Sequence, residues 1–401
     1  MDPTMSTYDF AGSARPSLGV ELELQVLDPA TLALDGSAAA VLDAVPAPYR
    51  RAIKPEFYDC CVEVATGVCR DVAAAGRGLQ DKIEMAASAA SRCGVLLGWG
   101  GAHPFSHWAE RRIAPTPRYQ ELQRRYRGTL HRQLTFGLHV HVGVPDGDAA
   151  VRACRRIGEH LPALLALSAN SPFWCGRCTG LHSQRIEVMD ASPSSGPPPR
   201  LGGWGDYSRF VERLVSTGLI GSAKELWWDA RPSPENGTVE VRICDMPPGP
   251  DAALTLAALI QCLVVELSGD RSDDPAEDAC ASTVARLNRW RAARHGMAAE
   301  FVDARTGRLT PAADAVRRLV DRLHGVASGL HCEGRLARAV ESAKGPDGAE
   351  RQLAAYEDSG DLRDVVRRCM LPVCRPPLAV VPAPPPGREA THDVPAARLT
   401  G

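Results

Sequence analysis

Acidic and imidazole side chains alternate with apolar ones in four separate segments of the chain. In the first, with the sequence GVELEL, the two-residue period of a β-strand places two glutamates on one face, roughly 7 Å apart. One such pair is typical of an ordinary solvated strand, but three later segments repeat the pattern. The repetition indicates one polar sheet face with four glutamates and two histidines. These side chains are Glu21, Glu23, Glu63, His139, His141 and Glu240.

A sheet face with this composition and little lysine repels itself unless cations bind to it. Oxygen-rich sites with few nitrogen ligands suit Mg²⁺ or Mn²⁺, whereas zinc favours cysteine and histidine. Carboxylates around Mg²⁺ usually serve to hold substrate phosphates. The pattern therefore predicts a divalent metal, Mg²⁺ or Mn²⁺, together with ATP.

Three arginines lie close to these acids along the chain. Arg242 follows Glu240 on the same strand face, Arg231 belongs to the segment WWDARPSP, and Arg185 follows GLHSQ. In a chain with 46 lysines and arginines, a single arginine is usually a surface charge. A planar guanidinium, however, binds carboxylates and phosphates through two hydrogen bonds. Their positions favour a role in binding phosphate or a substrate carboxylate.

The composition excludes several classes of partner. The 401 residues include 46 Lys+Arg and 48 Asp+Glu, and a formal net charge of −2 provides no field that attracts nucleic acid or an anionic membrane. No stretch of 18 apolar residues occurs, and the most apolar run, Ala252–Leu267, predicts a buried helix and no membrane span. The expected partner is a small-molecule substrate.

The start of the chain and its cysteines indicate the compartment. The first 17 residues contain three charges and lack the apolar stretch of a signal peptide, so we expect a cytoplasmic protein. The thirteen cysteines are scattered along a long chain, which favours reduced, mostly buried thiols. Cys175 and Cys178 form a C-x-x-C without a second such pair, so two incidental cysteines are favoured over a zinc site or a regulatory disulfide.

Alternation over short segments predicts four half-buried strands, and longer periodic segments predict five helices. Strands separated by helices would suit a parallel α/β sheet, but parallel strands are apolar on both faces. One face of each strand is polar here, so the predicted fold class is α+β, an antiparallel sheet with an open polar active-site face and helices on the other face. The predicted strands are Leu18–Leu27, Cys60–Thr66, Thr135–Val144 and Thr238–Cys244, and the predicted helices are Asp71–Cys93, Pro117–Arg132, Asp148–Leu167, Tyr207–Thr217 and Asp251–Ser268.

The sequence predicts a single catalytic domain over residues 17–370, preceded by an N-terminal leader, residues 1–16. Within the domain, residues 278–370 have apolar positions spaced three and four apart and are predicted to be mostly helical. Residues 371–401 include eight prolines, which predicts an extended or disordered tail.

Five long motifs occur in order along the chain. They are GVELE at 19–23, FGLHVHVG at 136–143, LSANSPFW at 167–174, WWDARPSP at 227–234 and GTVEVR at 237–242. In content and order they resemble the glutamate–cysteine ligase type 2, or carboxylate–amine ligase, family of the glutamine synthetase-like superfamily. The resemblance is strong over Ser17–Pro248 and continues through the helical segments to about Leu371.

The resemblance implies an ATP-dependent ligase that joins the γ-carboxylate of glutamate to an amine such as cysteine. ATP would phosphorylate the carboxylate, and the amine would displace phosphate from the acyl phosphate. A homodimer would be in keeping with the family. By the family pattern, the metal ligands are Glu21, Glu23, Glu63, His139 and Glu240, and the catalytic arginines are Arg231, Arg242 and Arg185.

The sequence departs from the family pattern at two points. The family's first motif usually carries a third acid where Leu22 stands, but strand alternation points that position into the core, so the metal site should persist. Ser194 stands close to an arginine of the family, which leaves the identity of the amine open. His103, in GGAHPF, matches a family segment and is interpreted equally well as a structural histidine bonded to backbone or as a substrate contact.

A second function remains open from the residues alone. His139-Val140-His141 together with the glutamates could form the site of a zinc-dependent hydrolase. Four acids, however, exceed what a three-ligand zinc site requires. The ligase is therefore the leading interpretation.

Overall fold

The computed structural model describes residues 9–269 and 279–371, all within one compact unit that ends at Leu371. The strands are β1 (Leu18–Leu27), β2 (Ile53–Pro55), β3 (Cys61–Ala65), β4 (Leu96–Gly98), β5 (Leu138–Gly143), β6 (Phe173–Trp174), β7 (Arg177–Cys178), β8 (Ala230–Ser233), β9 (Thr238–Val241), β10 (Glu300–Val302) and β11 (Leu309–Pro311). The helices are α1 (Ala38–Ala44), α2 (Val72–Arg92), α3 (Pro117–Tyr126), α4 (Gly128–His131), α5 (Gly147–Ile157), α6 (Leu161–Ser168), α7 (Gln184–Asp190), α8 (Trp204–Ser216), α9 (Pro250–Ser268), α10 (Ala279–His295), α11 (Ala312–Gly329), α12 (Glu333–Ser342), α13 (Gly348–Ser359) and α14 (Leu362–Val365).

Seven strands form one antiparallel sheet in the order β2-β3-β1-β5-β9-β8, with β4 paired to β1. On β1, Val20, Leu22 and Leu24 are at most 1% exposed and face the core. Helices α2, α5 and α9 pack on this apolar side of the sheet. The opposite side carries the polar side chains. The predicted α+β class, with helices on one face and an open polar face, is confirmed.

The sequence predicts the long strands better than the short ones. β1 has the predicted bounds, and β3, β5 and β9 lie within the predicted segments. Three other strands of the sheet, β2, β4 and β8, were not predicted, because three or four residues are too few to display a two-residue period.

Two predicted helices are each broken in two. The segment from Pro117 forms α3 and α4 because Arg127 takes a positive φ of 45° between them. The segment from Asp148 forms α5 and α6, with Gly158 directly after the first of them. The C-terminal region is mostly helical as predicted, but the hairpin of β10 and β11 interrupts it between α10 and α11.

Helix α9 is long and apolar enough to cross a membrane, but most of it is buried inside the protein. It packs against α5, α12 and the sheet. This arrangement agrees with the buried helix that the sequence predicts.

The predicted leader and tail are described only in part, since residues 1–8 and 372–401 lie outside the described residues. Residues 9–16 contact the rest of this compact unit. The backbone amide of Ala11 donates to the Pro234 carbonyl, and the Phe10 ring lies edge-on to Trp204 with 5.3 Å between centroids.

Arg289 of α10 ties the C-terminal helices to the segments that flank the sheet. Its guanidinium donates to both oxygens of Asp229, at 2.7 and 2.9 Å, and to both oxygens of Asp190, at 2.5 and 2.8 Å. Asp229 is buried just before β8, and its carbonyl accepts from the backbone amide of Arg242 at 2.8 Å. One buried cation therefore fixes the position of two neighbouring segments.

We expect Arg289→Met to lower the free energy of unfolding by about 3–5 kcal/mol, because the buried Asp229 carboxylate loses its counter-charge. The matched control is Arg317→Met on α11, whose ion pairs with Asp314 and Asp321 are exposed and should contribute less than about 1 kcal/mol. Denaturant unfolding of both variants checks the difference. Equal losses would show that the Arg289 contacts do not carry the stability assigned to them.

Candidate active site

Strand register brings the predicted acids and histidines together on the polar face of the sheet. Each lies directly opposite another member of the set on a neighbouring strand, where side chains are close enough to interact. All six side chains lie on strands, so no loop residue contributes to the cluster. The cross-strand pairs are Glu21 with His139, Glu23 with Glu63, and His141 with Glu240.

The Glu21 carboxylate lies between two imidazoles. Its Oε2 is 3.7 Å from His139 Nδ1 and 3.6 Å from His141 Nε2. Burial acts to raise the pKa of Glu21, but the two imidazoles hold it far below its usual range. Burial and Arg242 lower the pKa of His139, whereas Glu240 and Glu21 raise the pKa of His141 against the effect of burial. The site therefore favours the neutral form of His139 and the protonated form of His141.

Two arginines bind Glu240, which is almost fully buried. Arg231 donates from Nε and Nη2 to the two Glu240 oxygens at 2.8 and 3.3 Å, and Arg242 donates from Nη1 to Oε1. Arg231 also donates from Nη1 to the carbonyls of Lys224 and Leu226 at 2.7 and 2.8 Å. Burial alone would raise the pKa of Glu240, but the two arginines hold it well below its usual range. Glu240 is therefore an anion in the folded protein.

Two further carboxylates lie at the other edge of the sheet. Lys54 Nζ is 3.0 Å from Glu63 Oε1, and the Tyr119 hydroxyl donates to Glu56 Oε2 at 3.3 Å. Burial and the Glu21 carboxylate raise the pKa of Glu63 to about 7. Burial and the neighbouring carboxylates raise the pKa of Glu56 to about 8. The basic side chains near this edge do not offset burial and repulsion, since both pKa values stay raised, which is the electrostatic condition of a cation-binding site.

A cavity of about 340 Å³ lies over the polar face. Phe57, Tyr119, Leu122 and Trp227 form an aromatic and apolar part of its wall. The cavity therefore combines a charged floor with a partly apolar wall. All eight predicted site residues line it: Glu21, Glu23, Glu63, His139, Glu240, Arg185, Arg231 and Arg242.

Arg185 lines the cavity while its guanidinium binds backbone. Nη1 donates to the Ile243 carbonyl at 3.2 Å and Nη2 to the Arg242 carbonyl at 3.1 Å. Arg185 thus fixes the backbone at Arg242 and Ile243, directly after the end of β9. Its predicted contact with phosphate or glutamate stays a prediction.

Three of the polar side chains have the spacing of a metal site. One potential ligand atom each from Glu21, His141 and Glu240 lies within 4.8 Å of the others. The resemblance of the motifs assigns a ligand role to His139, which instead contacts Glu21, Glu23 at 3.6 Å and Arg242 at 3.4 Å. The geometry therefore adds His141 to the candidate ligands, and the role of His139 stays a prediction.

Sequence reasoning missed Glu56, Lys54, Arg118 and Tyr119, which also line the cavity. Lys54 and Glu56 lie on or beside the short strand β2, which gives no periodic signal. Arg118 and Tyr119 begin α3, and only the fold shows that this helix borders the sheet face.

Known proteins with similar sequences identify the family of this chain. Residues 17–368 match the model of the glutamate–cysteine ligase family 2. The chain belongs to this family. Among similar proteins, a provisionally named glutamate–cysteine ligase 2 of Gloeobacter violaceus is 38% identical over 90% of this chain and 97% of its own length. Another, of Rubrobacter xylanophilus, is 40% identical over 89% of this chain and 97% of its own length.

Solved structures agree on the fold. The glutamate–cysteine ligase of Francisella tularensis in complex with AMP has a TM-score of 0.68 at 12% identity, covering 90% of this chain and 89% of that one. A bifunctional glutathione synthetase of Pasteurella multocida has a TM-score of 0.62 at 14% identity, covering 88% of this chain and 51% of that one. Membership of glutamate–cysteine ligase family 2 confirms the predicted class, an ATP-dependent ligase. It gives no support to the zinc hydrolase.

The two departures from the family pattern, at Leu22 and Ser194, lie outside the cavity, and so does His103. Leu22 is fully buried in the core, as alternation predicts. The Ser194 hydroxyl donates to the Glu225 carbonyl at 2.6 Å. His103 is buried, its Nε2 3.0 Å from the Leu32 carbonyl, which supports the structural interpretation. None of these residues is among those that line the described cavity.

Eleven cysteines are described as free thiols, and six of them are buried; that they are reduced stays a prediction. Cys175 and Cys178 belong to the β6–β7 hairpin, where Cys175 has a positive φ of 48° at the turn. They lie apart from the residues of the active-site cavity.

In this ligase we expect the metal-free protein to lose stability as pH rises from about 5 to 8.5. The folded protein keeps the proton of Glu56 up to about pH 8, whereas an unfolded glutamate loses it near pH 4.3, so rising pH favours the unfolded state. Melting temperatures measured in chelator should therefore fall over this range, and Glu56→Gln should reduce the fall.

The matched control is Glu341→Gln on α12, whose exposed carboxylate lies beside Lys344. It should leave the pH dependence unchanged. Identical pH profiles for Glu56→Gln and the parent would show that the folded protein does not raise the pKa of this carboxyl.

Proposed function

We propose that this chain joins the γ-carboxylate of glutamate to the amine of a small amino acid, with cysteine as the first candidate, and converts ATP to ADP and phosphate in the cytoplasm. The observation that carries the proposal is the convergence of five carboxylates, two imidazoles and two paired arginines in one cavity. The names of the similar glutamate–cysteine ligases supply glutamate and cysteine. A homodimer remains a prediction.

The residues of the cavity fit divalent cations such as Mg²⁺. Glu21, His141 and Glu240 have the spacing of one ligand set, and Glu23, Glu56 and Glu63 add oxygen donors beside it. Burial and neighbouring carboxylates raise the pKa values of Glu56 and Glu63, and a bound cation would stabilise their ionised forms, which supports the fit. When bound, Mg²⁺ would neutralise the phosphates of ATP and the charge that develops on phosphoryl transfer.

Carboxylates and amines do not condense in neutral water, so the reaction requires activation by ATP. The γ-carboxylate oxygen of glutamate attacks the γ-phosphorus, ADP leaves, and an acyl phosphate forms. The uncharged amine then attacks the acyl carbon, and phosphate leaves with the former carboxylate oxygen. No covalent bond to the protein is required, and the chain contributes position and charge.

Arg231 and Arg242 are suited to stabilise the transferring phosphoryl group. Glu240 holds both guanidinium groups in place, and the carbonyls of Lys224 and Leu226 fix Arg231 further. Fixed donors need no reorganisation when charge develops in the transition state. The apolar part of the cavity would exclude water from the acyl phosphate.

The direct test supplies ATP, Mg²⁺, glutamate and a panel of amines to the purified protein. We expect ADP release and a γ-glutamyl product by mass spectrometry, and glutamate labelled with ¹⁸O in its γ-carboxylate should pass one label to the released phosphate. Aspartate should fail, because its shorter side chain misplaces the reacting oxygen.

Glu21→Gln is the control that should abolish ADP release without unfolding the protein. Product formation with unlabelled phosphate would contradict the acyl-phosphate route. Absence of ADP release with every amine would contradict the ligase itself.

We further expect His141→Ala to raise the Mg²⁺ concentration required for half-maximal activity by about tenfold or more, since one ligand of the three-residue set is lost. His139→Ala provides the matched comparison on the same strand. Activity titrated against Mg²⁺ decides between them, and a larger shift for His139→Ala would favour the ligand assignment made from the motifs.

A further inference from the structure

The cations that line the active-site cavity differ in what they already bind. Arg231 and Arg242 bind Glu240, and Arg185 binds two backbone carbonyls. Lys54 contacts Glu63, and Lys224 contacts Glu235, at 3.0 and 2.7 Å. Each of these five cations is thus bound to a carboxylate or carbonyl oxygen of the protein. The sixth cation among the described residues that line the cavity is Arg118.

Arg118 forms no hydrogen bond or ion pair with a carboxylate or carbonyl in the part of the chain that the structure describes, although its charge acts to lower the pKa of the nearby Glu56 carboxyl against the larger effect of burial. Its guanidinium carbon lies 5.7 Å from the centroid of the Tyr119 ring, within the range of a cation–π contact. The Tyr119 ring is held in turn, because it packs edge-on to Phe57 and its hydroxyl donates to Glu56. Arg118 is thus placed at the cavity while its N–H groups remain available.

Arg118 lies at the opposite end of the site from the arginine pair. Tyr119 beside it contacts Pro55 and Glu56 at strand β2, whereas Arg231 and Arg242 lie on or beside β8 and β9 at the other edge of the sheet. Five strand spacings of about 4.8 Å separate β2 from β8 in this sheet order. The two cationic ends therefore cannot bind the same group of a substrate.

We infer that Arg118 binds the α-carboxylate of an amino-acid substrate and thereby sets which acids and amines the ligase accepts. This inference rests on the proposed function, in which the γ-carboxylate reacts near the arginine pair. Both glutamate and an amino-acid amine carry an α-carboxylate, and a free guanidinium binds such a group through two parallel hydrogen bonds. The contact would act on substrate position and not on the phosphoryl group.

The experiment measures binding of L-glutamate and of L-cysteine by calorimetric titration, with Mg²⁺ and a non-hydrolysable ATP analogue present. Arg118→Gln should weaken the binding of one amino acid by about 10- to 100-fold, the size expected for a lost charged hydrogen bond, and leave the other within about twofold. Weakened glutamate binding assigns the glutamate carboxylate, and weakened cysteine binding assigns the amine substrate. Arg118→Lys should recover only part of the affinity because it lacks the planar fork.

Arg124→Gln is the matched control, because this exposed arginine of the same helix contacts Glu121 and does not line the cavity. It should bind both amino acids as the parent does. Unchanged binding in Arg118→Gln would overturn the inference, while ADP release by the parent would leave the proposed function standing. Binding that depends on Arg118 without any ADP release would overturn the proposed function alone, and a parent that binds neither amino acid would overturn both.

Discussion

Repulsion between buried carboxylates is the constraint on which this structure depends. The antiparallel register aligns acids from neighbouring strands at side-chain distance, as the direct pairing of Glu23 with Glu63 illustrates. The helices on the other face of the sheet make that register rigid, because a slip of one residue would turn the acids into the core. The fold therefore holds the charges together against their repulsion. Two arginines neutralise the acid at the β8–β9 edge, whereas the acids at the β2 edge are only partly neutralised. The electrostatic environment therefore differs from one end of the site to the other.

The two edges of the sheet differ in how their charged side chains are neutralised. At the β8–β9 edge, Arg231 and Arg242 are fixed by Glu240, and the backbone that carries Arg242 is fixed by Asp229. At the β2 edge, Lys54 contacts Glu63 and the charge of Arg118 acts on Glu56, yet the pKa values of both carboxyls stay raised. A rigid, neutralised edge suits a group whose charge grows during reaction, and an acidic edge suits bound cations. The same sheet thus offers both environments side by side.

The sequence predicts the centre of this site and misses its periphery for identifiable reasons. Glu21 and Glu23 can be predicted because β1 is ten residues long and its apolar residues alternate from Leu18 to Val26. Glu56 is not readable, because β2 has three residues and no period. Arg289 shows a different limit, since it meets Asp190 across 99 positions and no local pattern reports such a contact. Periodicity reveals which face a side chain occupies, but not which distant helix covers that face.

The order of the strands along the chain has a consequence for synthesis on the ribosome. Strand β5 ends at Gly143, whereas its partner β9 begins at Thr238, so roughly 95 residues must be added before that edge is paired. At 5–20 residues per second, translation takes about 5–20 s to cover this interval. During that time the nascent chain presents an open strand edge and an acidic cluster that lacks Arg231 and Arg242. The like charges that repel one another in the folded protein would then oppose aggregation, because a charged, unpaired strand edge resists pairing with the strand of another nascent chain.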